Sequence, residues 1–161
     1  MKSKTLRKLL RRFEKLPLHF FDTCTLVEAL KDTKTGVQCS EYLNRIGYNY
    51  RGTLCLTVIG EFFLTTFRDV KEKTAKELGF EFIDRFIKNR SANFSSLKYD
   101  SLHIIDRIKE LDRSIEDSDA MHIANCIQDN GAVFVTIDER ILESKILENE
   151  FGIKLMHPKD L

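Results

Sequence analysis

Three short apolar runs of this 161-residue chain each end in an acid: Leu18-His19-Phe20-Phe21-Asp22, Leu54-Cys55-Leu56-Thr57-Val58-Ile59-Gly60-Glu61, and Ala132-Val133-Phe134-Val135-Thr136-Ile137-Asp138. Stretches of helical periodicity separate them, and strands alternating with helices favour a parallel sheet covered on both faces. The carboxyl ends of neighbouring parallel strands share one edge, where ligands bind, so the three acids should converge. Confined carboxylates repel one another and must take up a proton or hold a cation. A hard divalent ion prefers oxygen ligands, which points to Mg²⁺ or Mn²⁺. The expected fold is α/β: three layers, α/β/α, around a central parallel sheet of about four to five strands.

The elements follow from the same periodicity. After the strand to Phe21, a short helix is expected over 25–30, a loop over 31–36 and a second short helix over 39–47. A strand at 54–59 leads into a helix from Gly60 through Phe67, then a longer helix with Ala75, Leu78, Phe82, Ile83, Phe86 and Ile87 on one face. A short strand over 94–98 precedes helices at 100–112 and 115–129, the second closed by Asn130-Gly131 as a C-terminal cap. The last strand–helix–strand unit is expected at 132–137, 139–151 and 153–157.

Composition narrows the class. With 42% hydrophobic residues and twelve Phe, the chain can build one substantial core and requires no second domain. Its apolar runs are too short for a membrane span, and the basic start lacks the apolar segment of a secretory signal, so a cytoplasmic, membrane-free protein is expected. Cys24, Cys39, Cys55 and Cys126 show no paired spacing and read as reduced core thiols. The net charge of +1 conceals an asymmetry: residues 1–17 hold seven basic residues against Glu14, leaving 19 basic and 24 acidic residues elsewhere. Leu6, Leu9, Leu10, Phe13 and Leu16 recur at helical spacing within that head, which ends at Pro17. Residues 1–17 therefore read as a basic amphipathic N-terminal helix and 18–161 as the α/β domain.

A fourth acid belongs with the three. In the helix that begins near Ser114-Ile115-Glu116-Asp117-Ser118-Asp119, acids crowd the first turn, where carboxylates also serve as caps and complement the macrodipole. Periodicity puts both Asp117 and Asp119 on the flanks of the buried stripe and does not choose between them. His122 and Cys126, at i and i+4, lack the two further soft ligands of a zinc site and read as core. Gly52 and Gly60 stand alone, so neither a P-loop nor a dinucleotide fingerprint is present.

The order of these features resembles the PIN-domain nucleases, a family that includes VapC-type toxins of toxin–antitoxin pairs. Phe21-Asp22-Thr23 resembles the first-strand acid with its following hydroxyl residue, and Thr57-Val58-Ile59-Gly60-Glu61-Phe62 the acid after the second strand. Asp119-Ala120-Met121-His122-Ile123-Ala124 resembles the third motif, and Phe134-Val135-Thr136-Ile137-Asp138 the fourth, in which Thr precedes the acid by two. The resemblance covers about residues 18–157 and, unlike periodicity, selects Asp119 over Asp117. A 16-residue basic extension ahead of the first strand is a departure from it, which bears on how partners would dock.

That resemblance implies a Mg²⁺- or Mn²⁺-dependent ribonuclease. Asp22, Glu61, Asp119 and Asp138 would be the metal and catalytic acids, Thr136 and Thr23 their supports, and Asp117 the alternative ligand. It also implies an RNA substrate, a homodimer and, if the chain is a toxin, a small antitoxin protein as partner. Arg45, Arg51, Arg68, Lys71, Lys73 and Arg140 are candidate phosphate contacts at element ends. A haloacid-dehalogenase-type phosphatase fits worse, because it places a second Asp two residues after the first and this chain reads Asp22-Thr23-Cys24-Thr25. The remaining alternative is a PIN-like module that keeps the fold without turnover and binds RNA or protein.

Overall fold

The computed structural model describes residues 11–69, 73–88 and 92–161. The helix expected over 1–17 falls largely outside them; of it, residues 11–14 are helical. The strands are β1 (Leu18–Phe21), β2 (Arg51–Cys55), β3 (Ala92–Ser95), β4 (Val133–Val135) and β5 (Lys154–Met156). They form one five-stranded sheet in the order β3-β2-β1-β4-β5, parallel at every pairing. Helices flank it: α1 (Thr23–Glu28), α2 (Lys34–Leu43), α3 (Leu56–Asp69), α4 (Lys73–Lys88), α5 (Ser101–Leu111), α6 (Asp117–Gln128), α7 (Glu139–Leu142) and α8 (Lys145–Phe151). No helix among the described residues is long and apolar enough to cross a membrane.

Burial explains the central strands. Phe20, Phe21, Phe134 and Val135 are all fully buried, as expected where helices cover both faces of a parallel sheet. Phe20 pairs with Phe134 and Phe21 with Val135 across the β1–β4 boundary. At that boundary the strand order reverses, β2 and β3 lying to one side and β5 to the other. This is where a crevice opens in doubly wound sheets.

Two features of the middle of the chain differ from the sequence expectation. The strand expected at 54–59 ends at Cys55, and residues 56–59 form the first turn of α3. An unbroken apolar run suits a buried strand or a buried helix equally well. The spacing of Val58, Phe62 and Thr66, all buried while Leu56 is 56% exposed, is helical and faces the core. Glu61 consequently sits in the second turn of that helix rather than at its start. The helix expected over 139–151 is broken into α7 and α8 at Glu143 and Ser144. The loop expected over 31–36 is shorter than that: Thr33 caps α2 by accepting a 2.8 Å hydrogen bond from Gly36 N–H.

The end of α6 shows why its last residues are what they are. Asn130 adopts the left-handed conformation at φ 56°. Its N–H donates to Ile127 O and that of Gly131 to Cys126 O, the two bonds of a Schellman cap. Gly131 turns directly into β4, and a Cβ there would lie 2.5 Å from Cys126 Sγ and 2.7 Å from the Phe20 ring. Gly131→Ala is therefore expected to lower unfolding stability by about 1–3 kcal/mol through overpacking. Asn130→Gly, which keeps the left-handed turn, should stay within about 0.5 kcal/mol. Urea titration of both variants checks this.

Candidate metal centre

Asp22 follows β1 directly and caps α1. Its backbone N–H donates to Val135 O at 2.9 Å, so the residue is tied to β4 before its side chain is considered. Oδ1 accepts the Thr23 N–H at 2.7 Å; Oδ2 accepts the Thr136 hydroxyl at 2.7 Å and the Cys24 thiol at 2.9 Å. Burial works to raise this carboxyl, but the contacts with His122, Cys24 and Thr136 outweigh it and hold the group below the usual range. Asp22 is thus a buried carboxylate kept charged by donors. Burial, and then the neighbouring Asp22 charge, push the Cys24 thiol up.

Thr136 is fully buried after β4. Strand alternation suggests that it steadies Asp138, and it does so through the backbone, accepting the Asp138 N–H at 3.0 Å while its own hydroxyl goes to Asp22. Thr23 holds the acid of α3, donating its hydroxyl to Glu61 Oε2 at 2.7 Å. A cleft of about 290 Å³ opens here, lined by Asp22, Thr23, Glu61, Asp119 and Asp138 among others.

The acids are not equivalent within it. Asp119, half-buried in the first turn of α6, is pushed up to about 6 by burial and then by the charges of Asp22, Asp138 and Glu116, with His122 opposing. Asp138 moves the other way: Arg140 chelates it, Nη2 to Oδ2 at 2.7 Å and Nε to Oδ1 at 3.2 Å, and lowers it despite burial. Arg140 also reaches Glu116 at 2.8 Å. Asp117 points elsewhere. Its side chain is 89% exposed and pairs with Lys109 at 2.9 Å.

One ligand atom each from Asp22, Asp119 and His122 fall within 4.8 Å of one another, the one such group among the described residues. Sequence reasoning missed His122, reading it as core. It is 1% exposed, yet its Nδ1 faces Asp22 Oδ1 at 3.4 Å and its Nε2 faces Glu61 Oε2 at 3.5 Å. The signal was its place one helical turn after Asp119 on the same face.

Of the basic residues expected to meet phosphate, several are committed within the chain. Arg140 is bound to the acids, Arg45 donates to Leu161 O and Arg51 to Leu16 O. Arg51 also begins β2 and so lies at the opposite edge of the sheet from the acids. Lys71 lies outside the described residues. Lys31, not anticipated, lines the cleft and pairs with Glu28 at 2.7 Å.

Residues 19–146 match the model of the PIN domain family. The chain belongs to the PIN-domain family. No curated protein sequence is significantly similar to it. Among solved structures, this PIN domain is similar to a chain of FitAcB from Neisseria gonorrhoeae, with 14% identity and a TM-score of 0.65 over 89% of this chain and 99% of that one. It is also similar to a chain of VapBC2 from Rickettsia felis, solved bound to a DNA fragment from the promoter, with 16% identity and a TM-score of 0.62 over 87% and 98%. A chain of FitAB bound to the IR36 DNA fragment matches at 13% identity, with a TM-score of 0.64 over 89% and 96%. At such identities the likeness is one of fold.

The raised Asp119 carboxyl makes a stability prediction for the metal-free protein. Its value of about 6 lies above that of an unfolded Asp, so between the two the native state binds more protons than the unfolded state. Stability therefore falls as pH rises through that window. Asp119→Asn should raise unfolding stability at pH 7 by about 1 kcal/mol, after allowance for solvent screening, and the gain should vanish near pH 4. Thermal melts in chelator at the two pH values measure it.

Proposed function

We propose that this PIN domain is a divalent-metal-dependent ribonuclease that hydrolyses RNA phosphodiesters internally. The observation that carries the reading is the convergence of Asp22 and Asp119 at the crevice between β1 and β4, with Glu61 and Asp138 lining the same cleft. The donor set fits a divalent ion: the acids are confined where their charges conflict, as the raised Asp119 carboxyl reflects, and a bound cation would remove the conflict.

In this reading Asp22 and Asp119 hold Mg²⁺ or Mn²⁺, with Asp138 contributing directly or through water. When bound, the ion would lower the pKa of its water and polarise the scissile phosphate. The chain's own residues do the positioning. Thr136 and the Thr23 N–H fix the Asp22 rotamer, so that its carboxylate is presented without reorganisation. Thr23 anchors Glu61 through Oε2, and Glu61 either joins the ligands or orients the attacking water. The basic segment 1–17, ahead of the domain at 18–161, adds positive charge for an RNA strand to that of Lys31 at the cleft. The likeness to chains of VapBC2 and FitAB favours the toxin of a toxin–antitoxin pair, acting as a homodimer with a small antitoxin protein as partner.

Cleavage of a mixed RNA pool in Mn²⁺ or Mg²⁺ tests the reading. Wild type should cut and chelator should stop it; Asp22→Asn and Asp119→Asn should each lose about 10²-fold or more. Asp117→Asn should stay within about threefold, since its side chain is solvated and paired with Lys109. Salt-sensitive RNA binding without metal-dependent turnover would instead favour the non-catalytic binding module.

A further inference from the structure

His122 occupies the place where the acids meet, and it is not packed there as an inert core ring. Its Nδ1 is buried and has no hydrogen-bond partner. A ring nitrogen taken out of water gains from a close partner, and the 3.4 Å approach to Asp22 Oδ1 leaves it without a well-formed hydrogen bond. Asp22, Asp119 and His122 each bring one ligand atom within 4.8 Å of the others. Two ligands at right angles, each about 2.1 Å from one ion, lie about 3 Å apart, and opposed ligands lie about 4.2 Å apart. The 3.4 Å spacing of His122 Nδ1 and Asp22 Oδ1 falls between those two values.

On the other side of the ring a carboxylate stands near Nε2. Nε2 faces Glu61 Oε2 at 3.5 Å, and that same oxygen is held by the Thr23 hydroxyl at 2.7 Å. A ligating histidine commonly gives its second N–H to a carboxylate, which fixes the tautomer and ring orientation.

Resting on the metal-nuclease reading above, we infer that His122 Nδ1 is a ligand of the ion, alongside Asp22 and Asp119, and that it makes the centre prefer first-row transition ions over Mg²⁺. Mg²⁺ keeps to oxygen and sheds water reluctantly, while imidazole suits the transition series. Mn²⁺, the weakest binder of that series, is the most stringent probe.

The test is electron spin-echo modulation of Mn²⁺ bound to the full chain, with unlabelled and ¹⁵N-histidine protein. A ¹⁴N modulation that disappears on labelling and in His122→Asn is expected. Mn²⁺ affinity should fall about tenfold or more in that variant, with Mg²⁺ affinity, read by displacement of Mn²⁺, within about twofold of wild type. If His122→Asn does not fold, the labelled wild type decides alone. Mn²⁺ bound without nitrogen modulation, and lost in Asp119→Asn, would describe an all-oxygen centre and overturn the inference while leaving the nuclease reading intact. Modulation surviving in His122→Asn would assign the nitrogen elsewhere and likewise overturn it. No Mn²⁺ binding by wild type would overturn both.

Discussion

The site depends on β1 and β4 lying side by side at the centre of the sheet. Phe21 and Val135 are 114 positions apart in sequence, with β2 and β3 between them, yet they are neighbours in the sheet. From that row the hydrogen bonds run outward into the cleft. Asp22 N–H and the Thr25 hydroxyl both donate to Val135 O, and Thr136 returns a hydroxyl to Asp22. Because each of these groups is buried, breaking the register would leave polar atoms unsatisfied as well as apolar surface exposed. The same contacts that hold the fold together orient the acid.

Given that frame, the local surroundings sort the carboxylates. Asp22 receives donors and remains charged although buried; Asp138 is compensated by the Arg140 guanidinium. Asp119 receives no hydrogen bond from the described residues and faces carboxylates of its own sign, so it absorbs the conflict by rising toward neutrality. Three Asp carboxyls of the same intrinsic chemistry thus come to three different states. An ion that reached the cleft would interact with a preset distribution of charge, one carboxylate fixed, one adjustable and one already partnered. Arg140 is part of that distribution: it bonds to Asp138 and Glu116, while His122 faces Asp22 and Glu61.

Much of this was legible in the residues, and the places where it was not have physical causes. The apolar runs ending at Phe21 and Val135 are bounded by unmistakable breaks, and their strands were readable to within a residue or two. The run from Leu54 to Ile59 was not, because a continuous apolar stretch has no period; only the neighbours decide whether Val58 meets the core from a strand or from a helix. His122 was hidden for a related reason. One histidine on an apolar helix face looks the same whether it is surrounded by carbon or by two carboxylates from elements 61 and 100 residues away.

The sequence by itself determined an alternating α/β chain, the acids that close its strands, the hydroxyl residues beside them, and a charge distribution concentrated at the N-terminal head. These are local properties: apolar periodicity, turn chemistry and residue type act over a few positions. Tertiary structure decided which acids share a cleft, which of Asp117 and Asp119 turns toward it, that Arg140 is spent on Asp138, and that His122 stands between Asp22 and Glu61. Those are distances between elements remote in sequence. They are set by strand order and helix packing, which no single segment encodes.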